Sequence, residues 1–148
     1  MLRKLAIGAL GVAALLVAVA YLLPRHAQVE RTVTIDRPPG VVFAVLNSYR
    51  RFDQWSPWRA LDPQMQVTRS GPEFGVGAKY AWTGNEQVGT GTQTIVESVP
   101  DEKLVTALDF GDMGPATATF LLKRLERGTE VTWTLDSDLG NNPIARWM

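Results

Sequence analysis

Asp109 and Asp112 flank the reversal Gly111-Asp112-Met113-Gly114-Pro115, a spacing at which two carboxylates could share acid–base work or hold a hard cation. Aspartate also closes turns through its own backbone, and a reversal built from two glycines and a proline asks for that role. The turn role is the expected one. Gly75-Val76-Gly77 and Gly89-Thr90-Gly91 have the spacing of a phosphate cradle. Neither is followed by a helix whose N-terminus would receive the anion, so both read as turn and strand-entry glycines. Glu97 and Glu130 fall on strands, facing solvent. His26 is the whole imidazole supply and precedes the folded part, and there is no cysteine. A thiolate nucleophile, a disulfide framework and a multi-histidine metal site are therefore excluded. No nucleophile, base and oxyanion donor converge, so no catalytic residue, metal or cofactor is expected, and the balance falls against an enzyme.

The remaining chemistry is apolar. Phe52-Asp53-Gln54-Trp55-Ser56-Pro57-Trp58 places three large rings within seven positions, and Pro57 prevents a regular helix from running through them. Rings held in such a loop suit the rim of a cavity, since indole offers a broad hydrophobic face and one N–H donor; the competing reading is a core plug under a short helix. Both readings need a concave partner surface. Trp55, Trp58, Tyr80, Trp82, Phe110 and Trp133 are the candidate cavity-lining residues, with Tyr80 and Trp82 in phase on one strand.

The elements that must position them follow in order. The chain has 148 residues and a formal charge of zero, enough for one domain plus a short appendage, with no basic field that would argue for nucleic acid. Residues 5–23 are uncharged and almost wholly apolar, preceded by Arg3 and Lys4 and followed by Pro24-Arg25. As a helix this segment is about 28 Å long, close to the roughly 30 Å hydrocarbon core of a bilayer. The expectation is one uncleaved membrane span within an appendage at 1–28, with the domain at 29–148. A cleaved signal peptide competes, because Ala18-Val19-Ala20 would suit a peptidase, but the apolar run continues past it. The basic N-terminus favours a single-pass protein of the bacterial inner membrane with its domain in the periplasm, although Arg25 and Arg31 beyond the span oppose that asymmetry.

Residues 29–36 alternate as a strand with one wet side. Pro38-Pro39 stops it and leads into a helix over 41–47, and Ser48 is placed to cap a second short helix through Phe52. Strands are predicted at 65–69, 78–83, 89–99, 103–110, 116–125 and 129–136, with turns at Gly84-Asn85 and Arg127-Gly128. A strand, two small helices and about six antiparallel strands form an α+β domain whose sheet needs a large cover. Asn142-Pro143 begins a helix that stops after about one turn, so the expectation is a fragment or shortened form lacking most of a long C-terminal helix.

The run Val33-Thr34-Ile35-Asp36-Arg37-Pro38-Pro39 leading into Val42-Phe43, then Trp55-Ser56-Pro57-Trp58, Gly75-Val76-Gly77 and Asp138-Leu139-Gly140-Asn141-Asn142-Pro143, resembles the polyketide cyclase/dehydrase-like branch of the START/Bet v 1 (SRPBCC) superfamily. The resemblance covers about residues 29–148. It implies a helix-grip fold, in which a curved seven-stranded antiparallel sheet grips a C-terminal helix around a hydrophobic cavity. The expected function is binding of a hydrophobic or lipid-like small molecule from a membrane-anchored position. A cyclase- or aromatase-like enzyme and a membrane-tethered protein-interaction module are the alternatives.

Overall fold

A computed structural model describes residue 19 and residues 26–138, without the side chain of residue 112. Apart from residue 19, the predicted membrane span at 5–23 falls outside them, as does the predicted helix starting at Asn142-Pro143. Among the described residues no helix is long and apolar enough to cross a membrane.

The elements run β1 (His26–Ile35), α1 (Pro39–Leu46), α2 (Phe52–Trp55), α3 (Trp58–Leu61), β2 (Gln66–Ser70), β3 (Lys79–Thr83), β4 (Thr90–Val99), β5 (Lys103–Asp109), a 3-10 turn (Gly111–Met113), β6 (Pro115–Arg124) and β7 (Thr129–Asp138). All seven strands form one antiparallel sheet in the order β1-β7-β6-β5-β4-β3-β2. Strands β2 to β7 are successive hairpins, whereas β1 lies beside β7, with His26 opposite Asp138 and Ile35 opposite Thr129. The chain after β1 must therefore cross six inter-strand gaps, about 29 Å, to reach the edge where β2 begins. It does so over one face, and α1 to α3 are that crossing.

The face they cross is the core. Ile95, Leu104, Leu122 and Val131 project from it and are buried together with Val42 and Phe43 of α1, Tyr49, and Met65 at the entry to β2. The opposite face presents the alternate positions, among them Thr68, Thr92, Thr117 and Thr132, and Thr32 Oγ1 lies 3.1 Å from Thr132 Oγ1 across β1 and β7. A bulge between Ile95 and Glu97 shifts the register of β4 on β5 and bends the strand. Beyond it Ser98 faces the end of α1, where its hydroxyl donates to Asn47 Oδ1 at 2.8 Å.

Three expectations change. The aromatic stretch is not an open loop: Phe52–Trp55 and Trp58–Leu61 each make one helical turn, interrupted at Ser56-Pro57, so three helical pieces replace the two expected. Ser48 does not cap a helix. Its Oγ accepts the Arg50 N–H at 3.2 Å and closes a turn, because the crossing changes direction there. Third, β1 has no dry side over 26–34: Val29 and Val33 remain exposed although they alternate correctly, because an edge strand is flanked on one side only.

Gly91 is required by close approach. A Cβ there would lie 2.4 Å from Trp82 Cζ2 and 2.6 Å from the Asp109 carbonyl oxygen, so the indole lies directly over the glycine. Gly91→Ala should lower stability by about 1–3 kcal/mol through overpacking, read as a shift in urea midpoint at constant slope. An unchanged midpoint would show that the ring can withdraw.

Candidate functional site

Alternation places Tyr80 and Trp82 of β3 on the core face, where Tyr80 is opposite Gln93 and Trp82 opposite Gly91 on β4. The crossing segment brings its own rings down onto them. Phe52 of α2 meets Tyr80 with centroids 4.9 Å apart and planes at 65°, and meets Trp55 at 4.8 Å and 81°. Tyr49 packs on Phe52 at 5.6 Å and on Tyr80 at 5.7 Å. Tyr80 then leads to Trp82 at 6.2 Å, and Trp82 to Phe110, just past β5, at 5.9 Å and 70°. Edge-to-face contacts of this kind add roughly 0.5–1.5 kcal/mol each beyond area burial. The product is an unbroken aromatic run from Trp55 to Phe110, steadied by the Trp82 indole N–H donating to the Val88 carbonyl at 3.2 Å.

Four of the six predicted lining residues, Trp55, Tyr80, Trp82 and Phe110, thus fall in one run. Trp58 continues it in sequence on α3 and is 44% exposed. Trp133 does not join it: on β7 it stands opposite Phe120 of β6, four strands from β3, or about 19 Å. Small side chains separate the two aromatic groups on this face. Ala118 of β6 lies opposite Thr106 of β5, and Ala116 opposite Leu108.

Sequence reasoning missed the polar element at the heart of the run. Asp53 of α2 receives the Tyr80 hydroxyl on one carboxylate oxygen and Arg69 Nη2 on the other. Arg69 Nε donates to the Tyr49 carbonyl at 2.9 Å, and its guanidinium carbon lies 5.5 Å from the centre of the Tyr80 ring. One carboxylate therefore ties the crossing segment to both β2 and β3. A signal existed in the sequence: Arg69 alternates in phase with Val67, a cation on the apolar side of its strand, and Asp53 is the one acid in the aromatic stretch. Asp109, by contrast, takes the turn role expected, accepting the Gly111 N–H at 2.9 Å.

Burial pushes the Tyr80 phenol well above its usual range, helped by the hydrogen bond to Asp53 and that group's charge, and opposed by Arg69 and Arg59. Burial alone does the same to Tyr49, whose hydroxyl has no partner among the described residues. Neither phenol is poised to exchange a proton near neutrality. A cleft of about 330 Å³ opens on the far side of the sheet, lined by Thr68, Ala81, Thr83, Thr92 and Asp109 together with Trp82 and Gly91. Its threonine hydroxyls and the Asp109 carboxylate sit beside Trp82, so the cleft shares one ring with the aromatic run.

Comparison with known proteins bears on this arrangement. The family model described as polyketide cyclase/dehydrase and lipid transport matches residues 26–148. A search of curated proteins gave no match. Among solved structures, a protein from Rhodobacter sphaeroides is 23% identical with a TM-score of 0.57, the alignment covering 80% of this chain and 76% of that one. Ara h 8.0201 is 16% identical with a TM-score of 0.56, covering 76% of each chain. The di-domain ARO/CYC StfQ from the steffimycin biosynthetic pathway is 11% identical with a TM-score of 0.57, covering 78% of this chain and 37% of that one. These likenesses show a helix-grip type of fold.

Two measurements test the polar element. Unfolded tyrosine ionises near pH 10, so the unfolded state loses protons there that the folded state keeps on Tyr49 and Tyr80. Stability is then intact below pH 10 and should fall above it by about 1.4 kcal/mol per pH unit for each phenol. Phenolate absorbance should show Tyr49 and Tyr80 ionising only with unfolding, with Tyr49→Phe and Tyr80→Phe each removing one delayed step; free titration of both near 10 in the folded protein would contradict this. Asp53→Ala should cost about 1.5–3 kcal/mol by removing charge-assisted hydrogen bonds, measured by chemical denaturation, and a neutral result would mean that the carboxylate does not pin the segment.

Proposed function

Because the chain belongs to the polyketide cyclase/dehydrase and lipid transport family, we propose that it binds a hydrophobic or lipid-like small molecule against the aromatic face of its sheet, held at a membrane by its N-terminal segment. The observation that carries this reading is the ring run, together with the fact that Asp53, Arg69 and Tyr80 at its centre satisfy one another. Small-molecule sites are mostly apolar walls with a few placed polar groups, and rings flanking a strip of alanine and threonine match that description. On this reading Ala116, Ala118 and Thr106, all buried in this structure, would form the floor, and Trp55, Trp58, Trp82, Phe110 and Trp133 the sides, with Tyr80, 1% exposed, packed behind them. The uncharged segment 5–23, with Arg3 and Lys4 before it, supports the anchor and a periplasmic position of the domain at a bacterial inner membrane.

The family description and the steffimycin neighbour both bring cyclase chemistry into view. That second reading needs a base free to take a proton from the ligand. Asp53 is bridged on both oxygens, and the two phenols hold their protons, so carriage is the better match to these side chains.

The test is ligand occupancy of the full-length protein, purified in detergent and followed by native mass spectrometry and by uptake of an apolar anilinonaphthalene dye. One bound molecule per chain is expected. Ala118→Trp, which fills the floor, should weaken dye binding by at least about tenfold, or about 1.4 kcal/mol, while Thr117→Trp on the outer face should leave it unchanged. Absence of both ligand and dye uptake, or equal binding by the two variants, would remove the reading.

A further inference from the structure

We propose that the end of the sheet at which β1 begins faces the bilayer, with Trp55, Trp58, Leu61 and Met113 as the side chains that enter the lipid interface. The strand registers define that end. His26 at the start of β1 lies opposite Asp138, the last residue of β7. Next to Asp138, Ser137 pairs with Ala116 on β6, and the adjoining Pro115 pairs with Asp109 on β5. Asp109 pairs with Thr92 on β4, and Thr90, two residues on, with Thr83 at the end of β3. Thr83 in turn faces Gln66, the first residue of β2. The 3-10 turn of Met113 and the chain arriving from α3 are therefore at the same end as His26. Hydrogen bonds hold α3 there: Asn85, in the β3–β4 turn, donates from Nδ2 to the Leu61 carbonyl at 3.1 Å and from its N–H to Asp62 Oδ2 at 2.7 Å.

This end carries apolar side chains that the domain does not bury. Trp55, Trp58 and Leu61 are 40%, 44% and 45% exposed, and Met113 is 72% exposed. Single exposed apolar residues are ordinary, but two tryptophans and a leucine on adjoining helical turns are a patch. Indole is the side chain best suited to the bilayer interface, with an apolar body and a polar N–H. The occupant is a lipid surface and not a protein partner because of chain geometry: the uncharged segment 5–23 ends only two residues before β1, which starts at this end. A bilayer holding that segment lies within reach of these side chains. The inference rests on the anchored reading above, and adds which surface meets the membrane: that of Trp55 and Trp58, the outer members of the aromatic run, so that ligand would pass directly between lipid and the aromatic face.

The absence of native cysteine makes the test clean. Full-length Trp58→Cys, Leu61→Cys and Phe74→Cys, each carrying a nitrobenzoxadiazole label, are reconstituted into phosphatidylcholine vesicles containing a minority of phosphatidylglycerol. Phe74 serves as the control: it is 56% exposed, but follows β2 at the other end of the β2–β3 hairpin. Spin-labelled lipid should quench the labels at 58 and 61 at least about twofold more than the label at 74, as interfacial insertion requires. Two variants at separate positions guard against the loss of one to misfolding. Protein that floats with the vesicles while its labels at 58 and 61 remain unquenched by lipid would overturn the proposal alone, including the case in which another segment of the chain covers them. Protein that does not float with the vesicles would overturn the anchored reading and the proposal together.

Discussion

A seven-stranded sheet whose first strand closes against its last leaves one segment to cross the whole width between the two edges. That constraint decides most of what the domain is. The crossing must lie on one face, so that face becomes the core, and residues 36–65 must both travel and cover. A single long helix would travel without turning. Three short pieces interrupted at Ser48 and Pro57 turn twice, and each turn sets down rings where the sheet offers a place for them. The aromatic run follows from the route: Tyr49 and Phe52 arrive over β3 because the chain has there nearly reached the β2 edge.

Hydrophobic contact alone would let such a short segment slide. Four residues of helix contribute little stability of their own, since a first turn fixes several dihedrals for a single hydrogen bond. The Asp53 carboxylate supplies what the helix lacks, a directional tie to two strands. Removing a charge from water is costly unless its lone pairs are taken up, and here a guanidinium and a phenol occupy both oxygens. A carboxylate held in this way is a structural fastener, and a phenol that donates to it retains its proton over the neutral range. The same side chains that could have been an acid–base pair are consumed in holding the wall of the site together.

This division explains what could be read from the amino-acid sequence. Period-two alternation and turn residues located β3 to β7 within a few positions, because Tyr80 and Trp82, or Val131, Trp133 and Leu135, announce their faces locally. Trp133 shows the limit. Its face was legible and its distance from Trp82 was not, since that distance depends on strand order, a property of the whole sheet. Ser48 shows another limit: a serine before a short amphipathic stretch caps a helix or closes a turn with the same hydroxyl, and the direction of the chain decides between them. Asp53 and Arg69 are sixteen residues apart with no periodic relation, so only the crossing brings them together. The family resemblance stood on residues spread along the chain and agrees with the family match over 26–148.

The outer face completes the argument, because a sheet that buries only one side must keep its other side soluble and its edges unattractive. Threonine does the first without charge repulsion between neighbouring strands: it is β-branched, fits the pleat and offers water a hydroxyl. Charge is placed where pairing would otherwise propagate. Glu30 and Arg31 sit in the middle of the exposed edge strand β1, and Arg127 reaches across to Asp36 at 3.1 Å just beyond its end. A domain with a guarded edge and a threonine-rich outer face, on which Lys103 pairs with Glu97 and Lys123 with Glu130 across neighbouring strands, keeps its rings on the core face. That asymmetry, more than any one residue, sets the aromatic side apart.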